Sequence, residues 1–497
     1  MFQGTSLTMS SSNVREVFIM KNIRKMIALL LAALLIFSLT ACGSSSTSND
    51  SDNTTTTTEQ SENANPGGGP GGTPPDKPDG SGGPGGAPGG SSSDIDYTAA
   101  VEINAADTQN GQAYASTAAD ESALLIATSE DVTITDPTVT KTGDSDGGDN
   151  CNFYGLNAAV LVKDGSTTTI TGGTITSDAD GANGVFSYGG NGGQNGASGD
   201  GTTVIIRNTK IVTTGDGAGG IMTTGGGTTY AYDLDVTTSG RSSAAIRTDR
   251  GGGTVVVDGG TYTSNGLGSP AIYSTADITV SNATLISNLS EGVCIEGLNS
   301  ITLNDCDLTA NNTKCNGNAT FLDTIMIYQS MSGDADSGTS YFTMTGGSLT
   351  SKSGHVFHVT NTNAVITLDD VTITNEDAEN ILLSVCDDGW SGGSNVATLK
   401  AVSQKLAGAV KVGSDSRLTL ELTNGSSFEG YIDGSITNAK GETVSTETGT
   451  VVVTLDSSST WTLTGDSYVT EFNGDAANVI SNGYTLYVNG TALTGTK

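Results

Sequence analysis

The feature that most constrains this chain is a short pattern recurring between residues 134 and 373: an apolar residue, four residues containing a turn, then a second apolar residue. It reads Ile170-Thr-Gly-Gly-Thr-Ile175, Val257-Asp-Gly-Gly-Thr-Tyr262, Val280-Ser-Asn-Ala-Thr-Leu285 and Met344-Thr-Gly-Gly-Ser-Leu349. The same spacing gives Ile134/Val139, Ile206/Ile211, Ala231/Val236, Leu303/Leu308 and Leu368/Ile373. Successive first anchors stand 36, 36, 25, 26, 23, 23, 41 and 24 residues apart, so the base period is near 24 with insertions in three coils. Ten residues after the second anchor a third apolar position recurs, at Val185, Ile221, Ile246, Ile272, Ile295, Val359 and Leu383. Around the anchors apolar and polar residues alternate, which is the period of a strand.

Each coil is therefore expected to hold about three short strands separated by Gly, Asn and Asp turns. Coils stacked in parallel would bury one thin apolar column. Composition agrees: 35% hydrophobic and 5% aromatic residues would be lean for a compact globule but suffice for a solenoid. A left-handed β-helix would repeat its apolar residue every six positions, which is absent. A calcium-binding nonapeptide roll needs tandem Gly-Gly-x-Gly-x-Asp, and Gly189-Gly-Asn-Gly-Gly is only a fragment of it. A propeller blade needs about twice this repeat length. The pattern resembles the right-handed parallel β-helix of pectate-lyase-like proteins over residues 95–430, with 431–497 read as final coils and a cap.

Ahead of the repeat, Met20 opens a short basic stretch with Lys21, Arg24 and Lys25, and an apolar run follows from Met26 to Leu39. The run is short for a membrane span but suits a signal peptide. It ends in Leu39-Thr-Ala-Cys42-Gly43. This resembles the bacterial lipoprotein signal, which implies lipidation of Cys42 and places the mature chain outside the cytoplasm, anchored to the cell membrane and exposed at the cell surface. Residues 1–19 lack signal character and read as an upstream extension, followed by the signal peptide at 20–41. Residues 42–94 carry Ser, Thr, Asn, Pro and Gly without apolar periodicity and read as a disordered stalk.

The formal net charge is −33, from 53 acidic and 20 basic residues. Such a field repels nucleic acid and favours cations, neutral sugars or basic partners. Two histidines, His355 and His358, leave little room for His-based catalysis, and three positions apart on one strand they are expected to face opposite sides. Cys151, Cys294, Cys306, Cys315 and Cys386 show no CxxC spacing and read as small buried hydrophobes.

Two features could carry function. Five residues after the second anchors stand Asp144, Asp180 and Asp216, expected to form a ladder on one edge. Calcium is the fitting ion for such carboxylates; solvated turn residues are the plain alternative. One residue past the third anchors stand Phe186, Met222, Arg247, Tyr273 and Glu296, expected to point outward as a mixed aromatic and charged row. Aromatic faces stack on sugar rings, and charged groups bond their hydroxyls. Arg241 and Arg250 flank Arg247 as a positive island. Finally, Trp390 lies in a loop insertion and is read as a loop anchor.

No catalytic motif can be matched position by position, so no catalytic residue is assigned. The expectation is a monomeric surface lipoprotein that binds a polysaccharide or surface glycan or mediates adhesion. A polysaccharide lyase or hydrolase and a ligand-free envelope protein are the alternatives.

Overall fold

The computed structural model describes residues 95–192, 198–390 and 392–497. Residues 20–41, read above as a signal peptide, Cys42 and the segment read as a stalk lie outside the described residues. From Thr98 onward the chain winds as an all-β parallel β-helix. A representative coil places Thr203–Arg207 on a first wall, Lys210–Thr213 on a second and Ile221–Thr224 on a third. The first two walls join in a 22-stranded sheet, and the third is a sheet of 13 strands.

The register follows the anchors. Ile134, Ile170, Ile206, Ala231 and Val257 pair in sequence, and the series continues through Val280, Leu303, Met344 and Leu368. These side chains and their second-wall counterparts merge into one apolar column running the length of the solenoid. Burying each such side chain contributes about 1.5–3 kcal/mol, which offsets the entropy of ordering a Gly-rich chain.

The turn between the two anchors has a strict backbone requirement. Two residues after each first anchor the backbone is left-handed, with φ of 47° at Asp136, 51° at Asn208, 50° at Asp233, 55° at Asn282 and 54° at Asp370. Where the position is not Asn or Asp it is glycine, as at Gly172 with φ 70°. Only these residue types visit that region cheaply, so the repeat selects them.

A second device sits between the second and third walls. There two consecutive residues enter the core, as in Ala123/Leu124, Ala245/Ile246, Ala271/Ile272, Val356/Phe357 and Leu382/Leu383. The doubled inward step shifts the alternation by one residue. Residues three apart across this corner therefore share a face. This corrects the expectation for the histidines: the Nδ1 atoms of His355 and His358 both lie 2.7 Å from Ser384 Oγ.

Both ends of the stack are blunted. In the first coil Gln109 stands opposite Ile134 and its side-chain amide bonds Asp107 at 2.6 Å, so a polar layer covers the open end. Beyond residue 430 an antiparallel hairpin, Ile436–Thr437 with Thr443–Ser445, interrupts the coils. Thr450–Leu455 and Thr460–Leu463 then return to the stack, and an antiparallel pair, Leu486–Val488 with Thr491–Ala492, closes it.

Candidate functional site

The outer face of the third wall is roofed rather than open. Phe186, Met222, Arg247 and Tyr273 do follow one another in register on that face. Exposure was the wrong expectation for them: Phe186 and Met222 are fully buried, beside Phe153 and Tyr154 of the helix Asp149–Tyr154. That helix is part of the insertion lengthening the coil between Ile134 and Ile170. Glu296 also falls outside the expected row. Ile272 pairs with Val293 and Tyr273 with Cys294, because that coil reaches the third wall two residues early. The slip is even, so Glu296 still faces outward, and it pairs with Tyr328.

Arg247, Tyr273 and Glu296 nevertheless line one cavity of about 100 Å³. Three short strands supply its floor: Ile246–Thr248, Ile272–Ser274 and Val293–Glu296. Tyr328 comes from the strand Asp323–Tyr328, set back by the insertion that precedes it. The roof comes from the helix Asp149–Tyr154, from Asn316–Ala319, from the strap Ser330–Asp334 and from Trp390. Trp390 packs on Tyr328 with ring centroids 4.9 Å apart, so it anchors its loop and walls the cavity at once. Cys294 and Met326 fill the apolar floor beside them.

The polar groups are interlocked. Glu296 Oε2 accepts from the Tyr273 hydroxyl at 2.5 Å and from the Tyr328 hydroxyl at 3.2 Å. Its Oε1 accepts from Ser330 Oγ and, at 3.3 Å, from Ser332 Oγ. Burial pushes the Glu296 carboxyl up, against the opposing effect of the Ser330 and Tyr273 hydroxyls. Burial likewise raises Glu291, another lining residue, and the thiol of Cys294. Arg247 donates to Asp249 at 2.9 Å, to the Ser242 carbonyl at 2.9 Å and to Asn152 at 3.2 Å. Arg250 pairs with Asp334 at 2.9 Å and lies 4.2 Å over the Phe153 ring, latching the strap to the helix. The expected positive island is thus largely neutralised in place, with Arg241 exposed at its edge.

The acidic ladder forms, but its chemistry is not what a bridging ion requires. Asp144 Oδ1 accepts the backbone N–H of Asp180 at 2.9 Å, and Asp180 Oδ1 accepts that of Asp216 at 2.8 Å. Asp216 in turn accepts the N–H of Arg241 at 2.7 Å. Each carboxylate caps the next coil's amide, and the three side chains are exposed. Among the described residues no three His, Cys, Asp or Glu side chains converge as a metal site would need. The calcium reading of Asp144, Asp180 and Asp216 is therefore carried no further.

The two histidines belong to a separate buried knot. Phe321 stacks on His358 at 4.6 Å between centroids. His358 Nε2 and Asp388 Oδ2 lie 3.3 Å apart without good hydrogen-bond alignment. Burial pushes His355 down to about 3, with His358 adding to the shift. The side chains of His358 and Asp388 have no solvent exposure, so this knot is a packing element.

Fold and site together define a parallel β-solenoid with a roofed aromatic and acidic cavity on its third wall. Comparison with family models, with curated protein sequences and with solved structures returns no match for the chain.

Proposed function

We propose that this chain displays its β-helix at a cell surface, tethered by a lipid on Cys42, and that the third-wall cavity binds one sugar residue of a polysaccharide or surface glycan. The observation that carries this reading is the meeting of Tyr273, Tyr328 and Trp390 with the hydroxyl-bonded Glu296 in one cavity. Aromatic faces receive the apolar faces of sugars, while carboxylates and hydroxyls fix ring orientation. A volume of about 100 Å³ suits an end residue or a side branch better than the middle of a polymer. A glycan array probed with the full chain and with Glu296→Ala tests it. Binding that is lost in the variant supports the reading; silence across plant, mucin and bacterial glycans rejects it.

A second reading is glycoside hydrolysis, favoured by one observation. A buried carboxyl with a raised pKa, such as Glu296, is the kind of group that serves as a general acid. Release of reducing ends by the wild type and none by Glu296→Gln would support it. The lyase alternative is weaker, because the Arg247 guanidinium is already engaged by Asp249, Asn152 and the Ser242 carbonyl.

A further inference from the structure

Six residues after the second anchor, the backbone is left-handed in four successive coils: φ is 70° at Gly181, 67° at Gly217, 56° at Ser242 and 60° at Gly268. Glycine meets this demand in three of them without strain. Serine stands there in one of the two coils whose residue at this position lines the cavity, at a conformational cost, while the other keeps glycine at Gly268. Ser242 lines the cavity, is 3% exposed, and its Oγ has no hydrogen-bond partner among the described residues. A strained backbone and an unanswered buried hydroxyl at one lining residue point to a bond made by something that enters the cavity.

The charges say what enters. Five carboxylates line the cavity, on Asp149, Asp249, Glu291, Glu296 and Asp334, against the one guanidinium of Arg247. Arg247 pairs with Asp249 and Arg250 with Asp334, so Glu291 and Glu296 are held by neutral donors such as Ser290, Tyr273 and Ser330. The rings of Tyr273, Tyr328 and Trp390 add negative π-faces, which attract cations when water is excluded. A carboxylate ligand would meet repulsion here, and an ammonium group would gain an ionic contact with Glu291 or Glu296 that a neutral ligand lacks.

We infer that the cavity selects a ligand bearing an ammonium group, an amino sugar if the reading above holds, and that Ser242 Oγ is one of its contacts. The inference rests on the cavity being a binding site and fixes the chemistry of what it takes.

Calorimetric titration of the full chain with glucosamine, N-acetylglucosamine, glucose, galacturonate and choline tests it. Glucosamine is expected to bind at least roughly tenfold more tightly than the acetylated and neutral sugars, with no binding of galacturonate. Equal binding of glucose and glucosamine overturns the inference and leaves the sugar reading standing. Binding of choline with no sugar bound does the reverse. No binding at all overturns both. Ser242→Gly restores the residue of the neighbouring coils and relieves the strain, so its melting temperature should be no lower than that of the wild type while glucosamine affinity falls roughly tenfold. Ser242→Ala keeps the Cβ and should lose as much. Unchanged affinity in both variants overturns the role of Ser242.

Discussion

The Tyr273 hydroxyl donates to Glu296 Oε2 across 2.5 Å, although the two residues stand on neighbouring coils in rows two residues apart. The contact exists because the coil carrying Glu296 reaches the third wall early. It ties the floor of the cavity to the strap, through Ser330 on the other carboxylate oxygen. Tyr273→Phe removes one donor from a buried acid. It should cost about 1.5–3 kcal/mol in urea unfolding at neutral pH and push the Glu296 carboxyl further up. An unchanged unfolding midpoint would show that Tyr328 and the serines fully replace it.

Stability should depend on pH in two opposing ways. Asp323 is buried beside Glu291 and Asp388, and burial raises its carboxyl well above the ordinary range. A raised acid gives stability that is fully present below its unfolded value of about 4 and is lost as pH rises through the folded value. Asp323→Asn should therefore flatten the decline of melting temperature toward alkaline pH and raise stability at pH 8. His355, pushed down to about 3, acts with the opposite sign. Its contribution is full above about pH 6.5 and is lost as pH falls from there. His355→Gln should soften acid unfolding; a variant that melts in parallel with the wild type across that range contradicts this.

The left-handed turn gives a test of the backbone alone. Asn208 is exposed with φ 51°, so its side chain contributes little packing. Asn208→Val should destabilise by about 1–2 kcal/mol, and Asn208→Gly should be close to neutral. Equal unfolding free energies for the two would remove the backbone argument.

The column predicts local damage from a core cavity. Ile206→Ala, at a fully buried anchor between Ile170 and Ala231, should cost about 2–5 kcal/mol. Because coils touch mainly their neighbours, hydrogen exchange should accelerate first in the adjacent strands Thr167–Thr171 and Gly227–Thr238. Uniform acceleration over all coils would argue for a single cooperative unit instead.

The anchors carried most of the fold. Pairs such as Ile170/Ile175 stand five apart because two strands flank one fixed turn, and that local rule repeats without reference to distant residues. The third wall was legible only in part. Its register depends on how many residues round the corner, and that number changes by two between the coils of Tyr262 and Leu285, which carried Glu296 out of the expected row. The corner itself was hidden, since Val356 and Phe357 look like ordinary strand residues until both are seen to enter the core. Tyr328 and Trp390 were out of reach for another reason: an insertion ahead of the strand of Tyr328 interrupts the period, and the loop of Trp390 folds back over the wall where no period records it. Ser242 was legible in principle, as the one serine in a column of glycines at 181, 217 and 268.

The cavity itself can be watched through one residue. Of the two tryptophans, Trp461 is fully buried in the core and stacked on Phe428, while Trp390 faces the cavity. Tryptophan emission of the full chain should change saturably on titration with free-amine chito-oligosaccharides, and the change should vanish in Trp390→Phe. No change in the wild type, or the same change in the variant, would contradict the account.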